Sequence, residues 1–448
     1  MLGLWLSVLC VSVLSGEPAD TPKTGPASDA PIKDAKPSTG QRSHPRHVVT
    51  PGVIRQIGDG PAESIEAMSN QQHLIEPDML MSVNNLLGDI RNVALDPIGL
   101  TFEPSAGWTY QHSTKTRPGY PHARSALWYA WAGNWTLWND EDGLGQIVYY
   151  AGGNTGLGDS TYPYMGEALG NPDYLNNILV PDRIGLYMLY WQQEMFDHKL
   201  TVRIGKMEDQ AFFDLNTIAY NPVIGFLAEN FNEQIVMPFP NYAFGFNAQW
   251  QLTDDILLRG GTLNSANPGN NNGFQGLSWS HLFTTAEVDF TMRPSINGDE
   301  RVGHVRITPW FNSQPDPFGP GIVEGLGICL NMDQRVTDTV SIFGRLGWGE
   351  NQATRSNFAV STGLAITAPF GLTHHHTGIA IEYAKITAMG RSEVDLPSTP
   401  GEQYMLEWYW RFELSQSFDI GPVVQVVRDT VAGIDTAVIW GFRSSWSF

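Results

Sequence analysis

Hydrophobic and polar residues alternate along most of the chain from about residue 99 onwards. In the segment 402–413 apolar and polar side chains take turns: Tyr404, Leu406, Trp408, Trp410 and Phe412 alternate with Gln403, Glu407, Arg411 and Glu413. A period of two residues with one apolar and one polar face predicts a half-buried β-strand. The same pattern recurs in about sixteen segments, so the predicted fold is all-β.

The sixteen predicted strands have boundaries that are good to about 2–4 residues. They are 99–111, 125–138, 144–153, 183–196, 199–206, 243–252, 255–263, 278–290, 302–312, 321–332, 338–349, 357–367, 377–387, 402–413, 418–428 and 435–448.

The connections between these strands alternate in length. Short turns such as Asp197-His198, Thr253-Asp254 and Ser415-Gln416 are followed by long polar connections such as 264–277 and 388–401. Short turns on one side and long loops on the other are typical of an outer-membrane barrel. The sequence therefore predicts a transmembrane antiparallel β-barrel of about sixteen strands.

A soluble sandwich or propeller would also show alternation, so the two faces have to be compared. The apolar face carries many Trp, Tyr and Phe residues near strand ends, as aromatic girdles at the two bilayer interfaces do. The polar face carries Arg, Glu, Gln and Asn in the middle of strands. Unpaired charges are costly in a dry core, so this face fits a water-filled lumen better.

The chain before the barrel divides into three parts. Residues 1–16 are predicted to be a signal peptide, because their apolar core is too short for a transmembrane helix and ends in small residues. Residues 17–60 are rich in Pro, Ser and Thr and predict a disordered linker. Residues 61–98 have apolar residues at helical spacing and predict a short helical segment in the periplasm. Residues 99–448 form the predicted barrel domain.

Composition narrows the function further. The chain has 26 Lys and Arg against 46 Asp and Glu, a net charge of −20, so no nucleic-acid partner is expected. Charged residues are only 16% of the 448 residues, and there are two cysteines, which excludes a disulfide scaffold. No cofactor is expected, and no metal ligand set is proposed: His374, His375 and His376 are consecutive and should diverge.

The last strand ends in alternating aromatic residues and a terminal phenylalanine, namely Trp440, Phe442, Trp446 and Phe448. This pattern resembles the C-terminal strand by which outer-membrane barrels are recognised for insertion. We therefore expect the barrel-insertion machinery and outer-membrane lipid to be partners.

Residues 200–245 resemble the OprB-type carbohydrate-selective porins. The similarity rests on Leu200–Met207, on Phe212, Phe213, Asp214 and Asn216, and on Asn230, Phe231, Pro238–Pro240 and Gly245. It extends over about residues 85–448, whereas part of the extension 17–98 has no counterpart. The resemblance implies a sixteen-stranded barrel that passes sugars down their gradient without ATP or chemistry.

The connection 207–242 is the longest within the barrel and is rich in apolar and aromatic residues. Such a loop should not lie free in solvent, so we expect it to fold into the lumen and form a constriction. The alternatives are a cap over the barrel mouth or a contact between protomers. Its candidate sugar-contacting residues are Phe212, Phe213, Asp214, Asn216, Glu229 and Asn230.

Strand parity identifies charged residues that should face the lumen. Because Leu200, Val202 and Ile204 face lipid, Arg203 must face inward. The same test selects Arg259, Arg306, Arg345, Arg411 and Arg443, opposed by Glu287, Asp289, Glu382 and Glu407. Ionised side chains hydrogen-bond strongly to sugar hydroxyls, although each arginine could instead form an ion pair within the wall.

The function predicted from the sequence is therefore passive, carbohydrate-selective diffusion. A general or ion-preferring porin with the same fold is the alternative. An outer-membrane barrel enzyme is the third hypothesis, and it is disfavoured because the chain has no GxSxG, HExxH or P-loop motif. The sequence leaves open which sugar passes and whether the barrel is a monomer or a homotrimer.

Overall fold

A closed antiparallel barrel of sixteen strands forms the body of the protein. The structure is a computed structural model that describes residues 73–158, 165–179, 184–267, 272–316, 321–392, 401–429 and 434–447. We number the strands in chain order: Glu103–Ser113 (β1), Ala123–Asn139 (β2), Leu144–Gly156 (β3), Gly185–Met195 (β4), Leu200–Met207 (β5), Ala243–Thr253 (β6), Ile256–Asn264 (β7), Leu282–Met292 (β8), Ser295–Ile296 (β9), Asp299–Glu300 (β10), Gly303–Pro315 (β11), Ile322–Arg335 (β12), Val340–Gly349 (β13), Ser356–Thr367 (β14), His375–Ile386 (β15), Gly401–Ser415 (β16), Phe418–Asp429 (β17) and Ala437–Ser447 (β18).

Each barrel strand pairs with its neighbours in sequence, and β1 pairs with β18 to close the barrel. At the closing seam Tyr110 lies opposite Phe442. Strands β9 and β10 form a small separate hairpin, which the sequence did not predict, between β8 and β11. Every predicted strand coincides with a barrel strand to within four residues at either end. The predicted transmembrane antiparallel barrel is confirmed.

The two faces of each strand differ as the alternation requires. In β5 the outward Ile204 is 47% exposed, whereas the neighbouring Arg203 points inward and is 8% exposed. Outward residues elsewhere, such as Trp250, Ile328 and Trp440, are also exposed and apolar. A continuous apolar outer surface is stable only against lipid, so this face is the membrane-facing one.

The connections define two ends of the barrel, which we call the turn side and the loop side. The turn side carries the short connections, such as 196–199 and 254–255, and also the first residues of β1. The loop side carries the longer connections, among them 157–184 and 208–242, and three short helices: Met165–Leu169 (α2), Glu229–Asn232 (α3) and Ala388–Ser392 (α4).

The segment 73–98 precedes the barrel and lies against the turn side. It contains helix α1 (Met81–Ile90), a π-helical turn (Arg91–Leu95) and a 3₁₀ turn (Asp96–Ile98). The amide of Ile75 donates to the carbonyl of Leu414 at the end of β16, at 2.9 Å. The predicted signal peptide, the linker and residues 61–72 lie outside the described residues. Among the described helices, none is long and apolar enough to cross a bilayer.

Candidate functional site: the lumen and its inserted loops

The connection 208–242, which we call the inserted loop, lies inside the barrel. Its Phe226 and Phe231 side chains are completely buried. The ring of Phe226 lies 5.5 Å from that of Phe343 on β13 and 5.0 Å from that of Tyr409 on β16. The loop begins after β5, so it crosses the lumen to reach these strands. It is neither a cap over the mouth nor a contact between protomers.

Close approach to the far wall depends on a glycine. A Cβ atom at Gly378 on β15 would come within 3.0 Å of the Phe226 ring and 2.6 Å of the Tyr409 ring. These separations are shorter than carbon–carbon contacts in proteins. Any side chain at position 378 would therefore press against the rings of Tyr409 and Phe226.

Arg345 on β13 is the most highly bonded attachment point of the inserted loop. Its Nε donates to the Asp214 carboxylate at 3.0 Å, and its two other nitrogens donate to the carbonyls of Asp214, Ala219, Phe231 and Asn232 at 2.5–3.4 Å. The side chains of Arg345 and Asp214 are 1% and 2% exposed. Both residues were predicted to contact sugar; in the structure their side chains hold the inserted loop.

Glu407 on β16 also attaches the inserted loop to the barrel wall. Its carboxylate accepts hydrogen bonds from the amides of Leu227 and Ala228, the latter at 3.0 Å, and from Gln425 Nε2 at 2.9 Å. On β18, Arg443 donates to the carbonyl of Pro222 at 2.5 Å. The lumen-facing direction of these charges was predicted from strand parity, whereas their loop partners were not.

Strands β8 and β12 also hold the start of the inserted loop. The Asp214 amide donates to Glu287 at 2.7 Å, and Asn216 donates to Asn331 at 2.8 Å. Thr217 donates from its hydroxyl to Asp333 at 2.6 Å. Sequence analysis missed Asn331 and Asp333, although their alternation with Leu330 and Met332 in β12 could have revealed them.

Glu229 and Asn230, both in α3, join the inserted loop to the loop-side part of the lumen. Glu229 accepts from Arg355 Nη2 and from the amide of Tyr174, both at 2.7 Å. Asn230 donates to Asp173 at 3.0 Å and to Glu382 at 2.7 Å. These two candidates therefore stabilise the packing of loops.

Residues 165–179, the described middle of the connection 157–184, also lie in the lumen, and the sequence did not predict this. The carbonyl of Leu175 accepts from Gln111 at 3.1 Å and from Gln425 at 2.8 Å. The amide of Asn177 donates to Leu227 of the inserted loop at 2.8 Å. The signal in the sequence was a set of apolar residues in a polar stretch, all of which are buried: Met165, Leu169, Leu175 and Ile178.

Four of the predicted lumen-facing arginines contact side chains of the barrel wall, unlike Arg345 and Arg443, which bond to the backbone of the inserted loop. Arg203, Arg259, Arg306 and Arg411 all lie in the turn-side half of their strands, and we call them the turn-side belt. Arg203 donates to Gln192 at 2.8 Å and to Asn247 at 3.2 Å. Its guanidinium also lies 4.6 Å from the centre of the Phe212 ring, a cation–π contact.

The other belt arginines are paired with carboxylates. Arg259 pairs with Glu287 and with Asp289, the latter at 3.3 Å. Arg306 pairs with Asp289 at 3.0 Å and with Asp333 at 2.6 Å. Arg411 pairs with Asp419 at 2.7 Å. Three belt arginines are thus each paired with a carboxylate, whereas Arg203 bonds to amide side chains.

Phe212 and Phe213 lie on the lumen side of β4 to β7, in an apolar cluster, and are 6% and 1% exposed. Phe212 meets the ring of Tyr190 edge-on, with centroids 5.8 Å apart. Phe212 also contacts the belt, through Arg203. The structure therefore separates the predicted site into loop-holding residues and the belt with Phe212.

Two buried carboxyl groups, Glu208 and Asp209, lie at the start of the inserted loop and have raised pKa values. Burial, with a smaller contribution from the nearby carboxylates of Glu229 and Asp209, raises the pKa of Glu208 from 4.5 to about 8. The folded state therefore binds more protons than the unfolded one between about pH 4.5 and pH 8. Stability contributed by neutral Glu208 is present at low pH and is lost as pH rises through this window.

We expect current fluctuations of the open channel to increase between pH 5 and pH 8, because ionisation of Glu208 loosens the inserted loop. Glu208→Gln should reduce this pH response in planar-bilayer recordings, while Glu141→Gln in an exposed turn should leave it unchanged. An identical pH response in wild type and Glu208→Gln would contradict this role.

Comparison with known proteins agrees with this architecture. The family model of the carbohydrate-selective porins, OprB family, matches residues 149–317 and 326–448. The chain belongs to this family. The match includes β5, the inserted loop and the turn-side belt. A comparison with curated proteins returned no match.

Solved structures share the fold. The high-pH structure of Pseudomonas putida OprB has a TM-score of 0.64 and 15% identity, and the alignment covers 82% of this chain and 97% of that one. A triple mutant of Rhodopseudomonas blastica porin gives a TM-score of 0.50 and 9% identity, over 78% of this chain and all of that one. At these identities the structures support the barrel fold alone.

Membership of the OprB family confirms the prediction of a carbohydrate-selective outer-membrane porin. The family is one of channels, which is the class expected from the sequence in preference to a barrel enzyme.

Proposed function

We propose that the inserted loop narrows the lumen and that the turn-side belt provides the contacts that select sugars during passive diffusion. The observation that carries this proposal is the path of the loop, which crosses the lumen from β5 to β13 and β16 and is held there by Arg345 and Glu407. A solute that crosses the barrel must pass through the part of the lumen that the inserted loop does not fill, next to groups that can bind hydroxyls.

The chemistry of the belt suits neutral polyols. Guanidinium and carboxylate groups form stronger hydrogen bonds with hydroxyls than neutral groups do. The amides of Gln192 and Asn247 beside Arg203 add further donors and acceptors. These groups already have hydrogen-bond partners, so a sugar hydroxyl must share or replace an existing bond. The net gain in binding energy is therefore small, and the sugar can be released.

The belt favours a sugar channel over an ion-preferring one. Arg259, Arg306 and Arg411 each lie within salt-bridge distance of at least one carboxylate. A belt in which positive and negative groups compensate one another offers little net attraction to either sign of ion.

We also propose roles for the two ends of the chain in export and assembly. Residues 1–16 would direct the chain across the inner membrane and then be removed. The last strand, ending in Phe448, would be recognised by the barrel-insertion machinery. Phe448 itself lies outside the described residues.

Arg203→Ala should weaken sugar binding in the channel about tenfold, since a hydrogen bond to a charged group contributes about 1.5 kcal/mol. The measurement is the concentration dependence of current block by sugars in planar bilayers. Arg293→Ala is the matched control, because Arg293 is a partly exposed turn residue paired with Asp255. Equal block in wild type and Arg203→Ala would remove Arg203 from the sugar path.

A further inference from the structure

A group of metal-ligating side chains lies on the turn side, outside the proposed sugar site. His73 comes from the segment before the barrel, His374 from the turn before β15, and Glu413 from the end of β16. One ligand atom of each lies within 4.8 Å of the others. His374 Nδ1 lies 3.7 Å from Glu413 Oε2. The two imidazole rings are stacked, with centroids 4.0 Å and planes 26° apart, so binding of one ion by both requires one ring to rotate about its Cβ–Cγ bond.

We propose that His73, His374 and Glu413 bind one divalent transition-metal ion of the zinc type, which fixes the segment 73–98 to the turn side of the barrel. Nitrogen and oxygen ligands lie about 2.0–2.2 Å from zinc, so neighbouring ligand atoms in a tetrahedral site are about 3.4 Å apart. The separation of 3.7 Å between His374 and Glu413 is close to that value. Water would supply the fourth ligand.

The carboxylate is already oriented for such a site. Its other oxygen, Glu413 Oε1, lies 3.2 Å from His376 Nε2 and accepts a hydrogen bond from Arg411 Nη1 at 3.3 Å. Outer contacts of this kind fix the direction of a metal-binding carboxylate. Arg411 is in turn paired with Asp419 at 2.7 Å. With neutral imidazoles, the surroundings carry two negative charges against one positive charge.

The backbone brings the ligands together in a defined place. The Glu413 amide donates to the carbonyl of His374 at 2.9 Å, and the Ile75 amide donates to Leu414 at 2.9 Å. Asp78 accepts from the hydroxyl of Ser415 at 2.8 Å. The segment thus reaches Glu413 through contacts that do not require the metal, and the metal would strengthen them.

The ligand types select the class of ion. Two imidazoles with one carboxylate suit zinc and similar transition metals, whereas calcium and magnesium prefer oxygen ligands. Imidazole must be neutral to bind, so acidification releases the ion. His374, in the turn, and His376, in β15, both approach Glu413, at 3.7 and 3.2 Å.

The test uses the full chain purified in detergent without a polyhistidine tag and stripped with a chelator. Zinc titration by calorimetry at pH 7.5 should show one site with a micromolar or lower dissociation constant. The affinity should fall at least about tenfold in His73→Ala and in His374→Gln. Calcium should not compete for the site, and binding should be lost at pH 5.

The controls separate this site from other histidines and from misfolding. His281→Ala, in an exposed loop-side connection, should bind zinc like wild type. His73 precedes the barrel, so His73→Ala leaves every strand intact, and limited proteolysis within 73–98 should be slowed by zinc in wild type but not in this variant. Zinc affinity unchanged in His73→Ala, or no binding tighter than millimolar in wild type, would overturn the proposal.

Discussion

Replacing Arg345 with methionine should release the inserted loop and give a larger, less selective channel. Methionine has a similar length but cannot donate the five hydrogen bonds that Arg345 makes to the loop. It would also leave the Asp214 carboxylate buried without its counter-charge. Removing one partner of a buried ion pair costs about 3–5 kcal/mol. This cost acts on loop attachment, since the strand hydrogen bonds do not involve the side chain.

Single-channel recording should show the effect of Arg345→Met directly. We expect a state of higher conductance, together with weaker current block by sugars. Arg293→Met, in an exposed turn, should behave like wild type. Adding Asp214→Asn to Arg345→Met should restore part of the loop attachment, because it removes the unpaired charge. Wild-type conductance and sugar block in Arg345→Met would show that this contact does not hold the loop.

Phe226→Ala should have an effect of similar size through loss of packing. The ring is completely buried among Phe231, Phe343 and Tyr409. Truncating a buried phenylalanine to alanine typically costs about 3–5 kcal/mol, because transfer energy is lost and a cavity remains. Because the ring links the inserted loop to β13 and β16, we expect this cost to appear as loop detachment.

The measurement for Phe226→Ala is again conductance and sugar block, after folded barrel is separated from unfolded chain by gel mobility with and without heating. Phe226→Leu should change conductance and sugar block less than Phe226→Ala does, since leucine keeps more of the packing contact. Phe196→Ala serves as the control, because Phe196 is 70% exposed in a turn. A folded Phe226→Ala channel with unchanged conductance would contradict the proposed packing role.

The barrel could be predicted because alternate residues of every strand must face lipid and water. Lipid outside and water inside force the alternation seen in 402–413 and 243–252, and strand parity then assigned Arg203, Arg345 and Glu407 to the lumen. The same parity was available for Asn331 and Asp333. The insertion of the loop 208–242 followed from its length and its aromatic content.

The partners of these residues could not be predicted, because they depend on the path of the loops in three dimensions. Parity says that Arg345 faces inward, but not that its guanidinium meets the carbonyls of Ala219 and Asn232. The same limit applies to the position of residues 165–179 in the lumen. His73 meets His374 only because the preceding segment runs along the turn side.

The most direct test of sugar-selective diffusion is solute flux into proteoliposomes that contain the wild-type protein. Neutral sugars should be compared with anionic and cationic solutes of the same size. We expect sugars to enter markedly faster than either charged solute, because the inserted loop and the belt select for hydroxyl-rich neutral molecules. Equal rates for all three classes would contradict it and would indicate a general diffusion porin.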